Sequence, residues 1–253
     1  MPLKQKEIYV AILNQGMIRA DLAQTINMIV QNDSYRIRLS YPNGKPICNN
    51  RNTIVQKFLA TKSADYLMMI DSDIVPPPNI LNIVDFKKDI ITLLMFVQQK
   101  GMIIPLFLKR NKDGVYDAGD YLNKSGLQEA DATGTGCIVI SRKVLETIKH
   151  PFENVYDADG VKTLGNDLSF CQRAKKEGFG VWVHLDYICG HIAKLDLKDQ
   201  FYEALGKFKA EKELLLIKEH LEKESPNLFE KIMKKVKSET LTLQIGQQHE
   251  DKC

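Results

Sequence analysis

The chain has 253 residues, 44% of them hydrophobic, which is enough for one substantial core and excludes a disordered protein. Its 35 Lys and Arg residues against 32 Asp and Glu give a net charge of +3, which neither demands nor excludes a polyanionic partner. Five cysteines without a C-x-x-C pair favour reduced thiols and a cytoplasmic protein. No apolar run reaches the ~18 residues of a transmembrane segment, and no signal peptide is evident.

The N-terminal part of the chain alternates between strand and helix patterns. Apolar, strand-like runs occupy residues 8–13, 35–39 and 66–70. Two helices are predicted between them, with inward faces formed by Leu22, Ile26, Ile29 and Val30 and, within residues 50–60, by Ile54, Val55, Phe58 and Leu59. This β-α-β-α-β order predicts a parallel sheet with right-handed crossovers.

The pattern changes in the second half of the chain. A short helix is expected to end near residue 84, and a fourth buried strand at residues 90–95. Short strands bounded by Gly and Asn/Asp turns then predict a mixed or antiparallel region, at residues 102–108, 129–133 and 137–140. A helix at residues 167–176, with Gly178 as its C-cap, and a strand at residues 181–184 complete it.

The C-terminal segment differs in composition from the rest. Residues 198–237 are rich in Lys and Glu and predict a helical appendage broken at Pro226, while residues 238–253 form a polar tail. Alternating charges favour solvated helices docked on the core over helices that bind a membrane or polyanion, and such helices offer a surface for homo-oligomers. We therefore expect a main domain at residues 1–197, followed by these two segments.

The most informative motif is Asp71-Ser72-Asp73, which follows the apolar strand at residues 66–70. Ligands bind at the carboxyl edge of such sheets, and two adjacent acids repel each other unless a cation or proton relieves them. The alternative is a solvated loop. A second Asp-x-Asp, at residues 157–159, runs into Gly160 and is typical of a turn.

A cation bound to a diphosphate needs further ligands, and imidazole would favour Mn²⁺ over Mg²⁺. His191 is the candidate, because it ends the apolar run at residues 187–190 and follows a glycine that permits close backbone approach. His184 competes with it but lies inside a predicted strand. A histidine that is merely hydrogen-bonded at a strand end is the alternative.

Two further motifs suit a nucleotide diphosphate. Arg51 is predicted to open the second helix, where a guanidinium and free N–H groups meet phosphate oxygens, or else it forms a surface salt bridge. Asn14 and Gln15 follow the first strand and either contact a nucleotide base or simply turn the chain.

Two motifs suit the sugar and its acceptor. Thr135 and Gly136 belong to a Thr-Gly-Thr-Gly run that either lets backbone N–H groups approach a ligand or forms a tight turn. Asp167, next to Asn166 at a predicted helix start, is either an N-cap or a general base for an acceptor hydroxyl.

Taken in chain order, these pieces resemble a GT-A-fold glycosyltransferase, close to the family 2-like group. The resemblance covers about residues 8–195 and rests on the strand at 8–13, Asn-Arg-Asn at 50–52, Asp-Ser-Asp at 71–73, Thr-Gly-Thr-Gly at 133–136, Gly-Asn-Asp-x-x-Phe-Cys at 165–171 and Gly-His-Ile at 190–192. It implies an α/β fold with a mixed, mostly parallel central sheet flanked by helices.

The resemblance also implies roles for the candidate residues. Asp73 and His191 would hold Mn²⁺ or Mg²⁺, with Asp71 at the metal or the ribose. The nucleotide sugar would be contacted by Asn14, Gln15, Arg51, Asp71 and Ser72, and the sugar or acceptor by Thr135 and Gly136. Asp167 would act at the acceptor, although Asn166 replaces the family's usual Glu before it.

The expected function is therefore metal-dependent transfer of a hexosyl group from a UDP- or GDP-sugar to an acceptor hydroxyl. A glycan or small polar acceptor is preferred, with a protein or nucleic acid left open, and the sequence does not choose between inversion and retention. A nucleotidyltransferase is the first alternative, and a noncatalytic binding protein on a degenerate transferase fold is the second.

Overall fold

The computed structural model describes residues 5–44, 46–99 and 102–193, together with scattered positions between 209 and 230. The chain divides into two compact units, Met1–Ala193 and Lys194–Cys253. In the second unit, described positions such as residues 218–220 are helical. The rest of the expected appendage and the whole of the expected tail lie outside the described residues. No helix that the structure describes is both long and apolar enough for a membrane span.

The first unit alternates strands and helices and then adds short strands. Its first elements are β1 (Glu7–Leu13), α1 (Ala20–Val30), β2 (Arg36–Ser40), α2 (Ile47–Ala60), β3 (Ala64–Asp71), β4 (Ile74–Val75), a 3-10 helix (Ile80–Phe86) and β5 (Ile90–Leu94). They are followed by β6 (Phe96–Gln99), β7 (Met102–Pro105), β8 (Phe107–Arg110), β9 (Tyr116–Ala118), β10 (Leu127–Ala130), β11 (Ala132–Thr133) and β12 (Cys137–Ser141). The last are α3 (Arg142–Thr147), β13 (Val155–Tyr156), β14 (Lys162–Leu164), α4 (Asn166–Lys176), β15 (Val181–Ile188) and β16 (Gly190–His191).

A seven-stranded sheet of order β10-β15-β5-β12-β3-β1-β2 forms the centre of this unit. Strands β1, β2, β3, β5 and β15 run in one direction, whereas β10 and β12 are antiparallel to their neighbours. The mixed, mostly parallel sheet expected from the sequence is therefore confirmed. Strand β12 lies between β3 and β5, so the order of strands in space departs from their order in the chain.

Both faces of the sheet are covered, as parallel strands require. Along β1, Tyr9, Ala11 and Leu13 pack in the core that includes residues of α2, α3 and α4. The alternate residues Ile8, Val10 and Ile12 pack with α1 and the 3-10 helix on the other face. The predicted inward face of α1 is correct except for Val30, which is 50% exposed because it lies at the last turn, beyond the packed stripe.

Several boundaries differ from the sequence-based expectations. Helix α2 begins at Ile47 rather than at residue 50, and β15 extends to Ile188 rather than ending at residue 184. The runs at 102–108 and 129–133 are each two strands, and β10 and β11 belong to different sheets. Gly178 does end α4, with φ of +82° and its N–H donating to the Lys175 carbonyl at 3.0 Å.

Candidate active site

A cleft of about 570 Å³ opens at the carboxyl ends of β1 and β3. Its lining includes Asn14, Gln15, Asp71, Ser72 and Asp73, which are five of the residues proposed from the sequence. The fully buried run from Leu67 to Ile70 anchors β3, so that the chain emerges from the core at Asp71. This is the edge at which open α/β sheets bind ligands.

Two short strands bring His191 beside Asp73. Strand β16 pairs with β4 in antiparallel register, His191 opposite Ile74, and the Ile192 N–H donates to the Asp73 carbonyl at 2.9 Å. The glycine before His191 is not required for this approach, because a Cβ on Gly190 would make an ordinary 3.5 Å contact with Val75. The backbone ladder, rather than a missing side chain, positions the imidazole.

The Asp73 carboxylate and the His191 imidazole face each other, with Oδ2 and Nε2 3.7 Å apart. His191 Nδ1 lies 2.5 Å from the Phe96 carbonyl oxygen, which can only accept a hydrogen bond. Nδ1 therefore carries the proton, and in the neutral ring Nε2 presents a lone pair toward Asp73. Within the described part of the chain, no three His, Cys, Asp or Glu side chains form a group suited to a metal ion.

Asp71 contacts Arg51 instead of this pair, and its expected place at the metal or the ribose stays a prediction. Its Oδ2 accepts a 2.7 Å hydrogen bond from Arg51 Nη2, and its buried Oδ1 has no partner among the described residues. Burial raises the pKa of Asp71 to about 6, with the nearby charges of Asp167 and Asp73 adding to the rise and Arg51 opposing it.

Arg51 also differs from its expected role as a diphosphate clamp. Its side chain is only 4% exposed and does not line the cleft. The residue lies within α2 rather than at the start of that helix. The Nη1 group donates to Asn166 Oδ1 at 2.6 Å and to Asp167 Oδ1 at 2.5 Å, while Nη2 donates to Asp71. Protein oxygens thus occupy Nη1 and Nη2, whereas the buried Nε has no partner among the described residues. Because Arg51 is buried, its ion pairs do not form the surface salt bridge that was the alternative.

Asp167 lies in the first turn of α4, but it does not cap this helix. The N-cap position is Gly165, without a side-chain cap. Asp167 Oδ1 accepts hydrogen bonds from Arg51 and from Thr135 Oγ1, the latter at 2.7 Å. The carboxylate is 33% exposed, and its Oδ2 accepts no hydrogen bond from the described residues. One oxygen is thus held while the other is open to a ligand.

The glycines beside Thr135 serve packing rather than ligand approach. A Cβ on Gly134 would lie 2.5 Å from Leu106 Cδ1, and one on Gly136 would lie 3.0 Å from Ile74 Cγ1. The Gly136 carbonyl accepts the Asp71 N–H at 2.8 Å, which joins β12 to the end of β3. Thr135 therefore reaches the site through its hydroxyl, and Gly136 supports it through its backbone.

The remaining candidates divide clearly. Asn14 stabilises its own turn, because its Oδ1 accepts the Gly16 N–H at 2.9 Å and its Nδ2 donates to Ile12 at 3.1 Å. Gln15 is exposed on the cleft lining. His184 is 5% exposed and packs between Phe86 and Tyr187, so it is no competitor to His191.

The second Asp-x-Asp lies in the hairpin of β13 and β14, as its sequence indicated. The Asp157 N–H donates to the Val161 carbonyl at 2.9 Å, and Gly160 adopts a φ of +78°. The sequence did not reveal two contacts of the first motif's site: Phe96, which acts through a backbone carbonyl, and Asn166, as a partner of Arg51. Neither contact leaves a signal in residue type or spacing.

Comparisons with known proteins identify the fold. No family model and no curated protein sequence matches the chain. The solved structure of A197 from STIV matches with a TM-score of 0.51 and 19% identity, covering 75% of this chain and 86% of that one. A structure of GalNAc-T7 with UDP, GalNAc and Mn²⁺ matches with a TM-score of 0.51 and 12% identity, covering 75% of this chain and 44% of that one. The chain therefore has a GT-A-like fold, as its motif order indicated.

Proposed function

We propose that this protein transfers a hexosyl group from a nucleoside-diphosphate sugar to an acceptor hydroxyl, with a divalent cation as cofactor. The observation that carries the proposal is the facing pair of Asp73 Oδ2 and His191 Nε2, 3.7 Å apart beside the cleft. The GT-A-like fold and the occurrence of UDP and Mn²⁺ in the GalNAc-T7 structure support the same conclusion.

The Asp73 and His191 pair suits a cation that keeps most of its ligands outside the protein. Ligands about 2.1 Å from one ion are at most about 4.2 Å apart, so the 3.7 Å pair can touch the same ion. Mg²⁺ and Mn²⁺ are commonly held by one or two protein ligands plus water and substrate phosphates, and the imidazole favours Mn²⁺. Such a cation would neutralise charge on the leaving diphosphate.

Asp167 is the proposed catalytic carboxylate. Arg51 and Thr135 hold its Oδ1, which leaves Oδ2 to accept the proton of an incoming hydroxyl or to orient it. Arg51 then acts as a positioning residue, because it joins Asp167 to Asp71 at the end of β3. Gln15 and Ser72, on the cleft lining, are the proposed contacts of the nucleotide.

A nucleotidyltransferase is less well supported than a glycosyltransferase. That chemistry needs a basic, glycine-rich loop after the first strand to bind the triphosphate. Here the segment between β1 and α1 contains one Gly and one Arg, and Arg19 is paired with Asp21 at 3.0 Å. For location we propose the cytoplasm, a setting with which the free thiols of Cys137, Cys171 and Cys189 agree.

The proposal is tested by donor hydrolysis across UDP-, GDP- and dTDP-sugars with and without Mn²⁺. We expect Mn²⁺-dependent hydrolysis of at least one donor. Loss of a residue that hydrogen-bonds a metal ligand lowers metal affinity or activity by about 10–100-fold. Asp73→Asn changes a proposed ligand itself, so it should lower the rate of hydrolysis by at least about tenfold.

The matched control is Asp159→Asn, which makes the same change in the second Asp-x-Asp, an exposed turn away from the cleft. It should hydrolyse the donor at the wild-type rate. No hydrolysis with any donor, or an equal loss in both variants, would contradict the proposed function.

A further inference from the structure

A second cleft, of about 600 Å³, lies between α2 and the chain segment at residues 150–156. Its lining is rich in side-chain amides, from Asn49, Asn52, Gln56 and Asn154. It also includes Tyr156, whose hydroxyl accepts a hydrogen bond from Asn154 Nδ2 at 3.3 Å. The function proposed above assigns nothing to this cleft. We refer to it as the amide cleft.

Hydrogen bonds and ring stacking hold one wall of the amide cleft. Asn52 binds the backbone of Phe152 twice, since its Nδ2 donates to the Phe152 carbonyl and its Oδ1 accepts the Phe152 N–H, both at 3.0 Å. The Phe152 ring is fully buried and stacks on Phe170 with centroids 4.7 Å apart. Asn52 and the backbone of Phe152 are therefore preformed parts of this wall, and preformed groups lower the entropic cost of binding.

The amide cleft adjoins the candidate active site. Asn52 follows Arg51, whose guanidinium binds Asp167 and lies 5.9 Å from the Phe152 ring centroid. Pro46 lines both this cleft and the cleft that contains Asp73. A chain-like acceptor whose reacting hydroxyl is at Asp167 would thus have its next units near the amides.

Apart from Glu153 and His150, the side chains that line the amide cleft carry no charge at neutral pH. Glu153 is its one carboxylate, and it is already paired with Arg173 at 2.7 Å. No Lys or Arg lines the cleft to bind phosphates or carboxylates, which disfavours a nucleic acid or an anionic lipid. The Gln56 amide makes no hydrogen bond to the described residues and can both donate and accept.

We propose that the amide cleft is an acceptor subsite for an uncharged oligosaccharide. Sugar hydroxyls are at once donors and acceptors, so side-chain amides and the Tyr156 hydroxyl match them without any net charge. The inference rests on the proposed glycosyl transfer and specifies its acceptor as a neutral glycan bound over more than one unit.

Cys48 allows the site to be tested by protection. It lines the amide cleft and is partly exposed, whereas Cys137, Cys171 and Cys189 are buried. The full-length protein is alkylated with iodoacetamide, and the Cys48 peptide is followed by mass spectrometry. The probes are maltohexaose, cellohexaose, xylohexaose and mannohexaose, with hexagalacturonate and an uncharged Ala/Ser peptide for comparison. At a hexasaccharide concentration of about nine times Kd, Cys48 alkylation should slow by about tenfold, because the rate follows the fraction of protein that is free.

A matched pair of double variants separates the cleft from general effects. Asn49→Ala/Gln56→Ala removes two amides from α2, and by calorimetry the Kd of the hexasaccharide should rise by about tenfold, as expected for two lost hydrogen bonds. Gln24→Ala/Asn27→Ala makes the same change at exposed positions of α1, on the other face of the sheet, and should leave the Kd unchanged.

These binding assays contain neither nucleotide nor divalent cation. A failure to bind hexasaccharide can therefore be told apart from a failure to hydrolyse the donor. Protection by neutral hexasaccharides that is weakened in the α2 variant alone supports the subsite. Protection only by the peptide or by hexagalacturonate, protection by none of the probes, or equal weakening in both variants would overturn it. The alkylation of wild-type protein remains decisive if a variant does not fold.

Discussion

The Arg51 guanidinium contacts both Asp71 and Asp167 from a position that water hardly reaches, with 4% of the side chain exposed. A buried cation is tolerated only while its partners satisfy it, and the two carboxylates in turn depend on it for their charge balance. Arg51 thereby links the end of β3 to the first turn of α4. The geometry of the candidate site is thus held by a residue that does not face the cleft.

Replacing Arg51 should therefore destabilise the whole unit. In Arg51→Met, two carboxylates lose their shared cation, and the free energy of unfolding should fall by about 3–5 kcal/mol. Urea unfolding, followed by circular dichroism, measures this change. Arg51→Lys keeps the charge but cannot bridge both acids, so its loss should be smaller.

The control for Arg51→Met is Arg19→Met. Arg19 pairs with Asp21 at 3.0 Å, but the two side chains are 48% and 42% exposed, respectively. An exposed pair contributes about 0–1 kcal/mol, so this variant should unfold close to the wild type. Equal destabilisation in the two variants would mean that the buried network has no special role.

At the scale of elements, a ladder of only two residue pairs positions the proposed cation pair. Strands β4 and β16 have two residues each, and the Ile192 N–H extends their pairing to the Asp73 carbonyl at 2.9 Å. Long-range pairing of this kind joins two segments that are far apart in the chain. The separation of Asp73 and His191 therefore depends on a few backbone hydrogen bonds.

Ile192→Pro should weaken cation binding without changing either proposed ligand. Proline removes the N–H that donates to Asp73, and one net hydrogen bond of about 0.5–1.5 kcal/mol corresponds to about 2- to 12-fold in affinity. Mn²⁺-dependent nucleotide binding, measured by calorimetry, reports this loss. Ile192→Ala retains the N–H and trims a side chain that is already 40% exposed, so it should bind as the wild type does. A wild-type affinity in Ile192→Pro would show that the ladder does not position the pair.

At the scale of the whole molecule, the two compact units have different contents. Every candidate site residue and both clefts lie within Met1–Ala193. This unit also contains both apolar faces of the central sheet. We therefore expect it to fold as a domain of its own.

A chain that ends after Ala193 tests this expectation. It should unfold cooperatively, and its Mn²⁺-dependent nucleotide affinity should stay within about twofold of the full chain, because no site residue is removed. Sedimentation velocity on both forms reports whether residues 194–253 hold copies together, as expected for an oligomer formed through C-terminal helices. Loss of cooperative unfolding in the shorter chain would instead make the second unit part of the domain.

The sequence by itself determined the alternation of elements, the burial of β1 and β3, and the position of Asp71-Ser72-Asp73 at a strand end. These features follow from the local periodicity of apolar residues, which indicates the side chains that face the core. The same local information identified the turn at Asp157 and Asp159. The order of the motifs along the chain also predicted a GT-A fold, and the structure comparison confirms a GT-A-like fold.

Only the tertiary structure decided how the polar groups are shared. The sequence suggested a cation or a ribose for Asp71, and a diphosphate or a surface salt bridge for Arg51, whereas the fold pairs the two side chains with each other. Such pairing depends on which side chains meet after β12 inserts between β3 and β5 and after α2 and α4 join the same core, and neither event leaves a local pattern. Burial then changes the chemistry, because a charge removed from water must find its partner inside the protein.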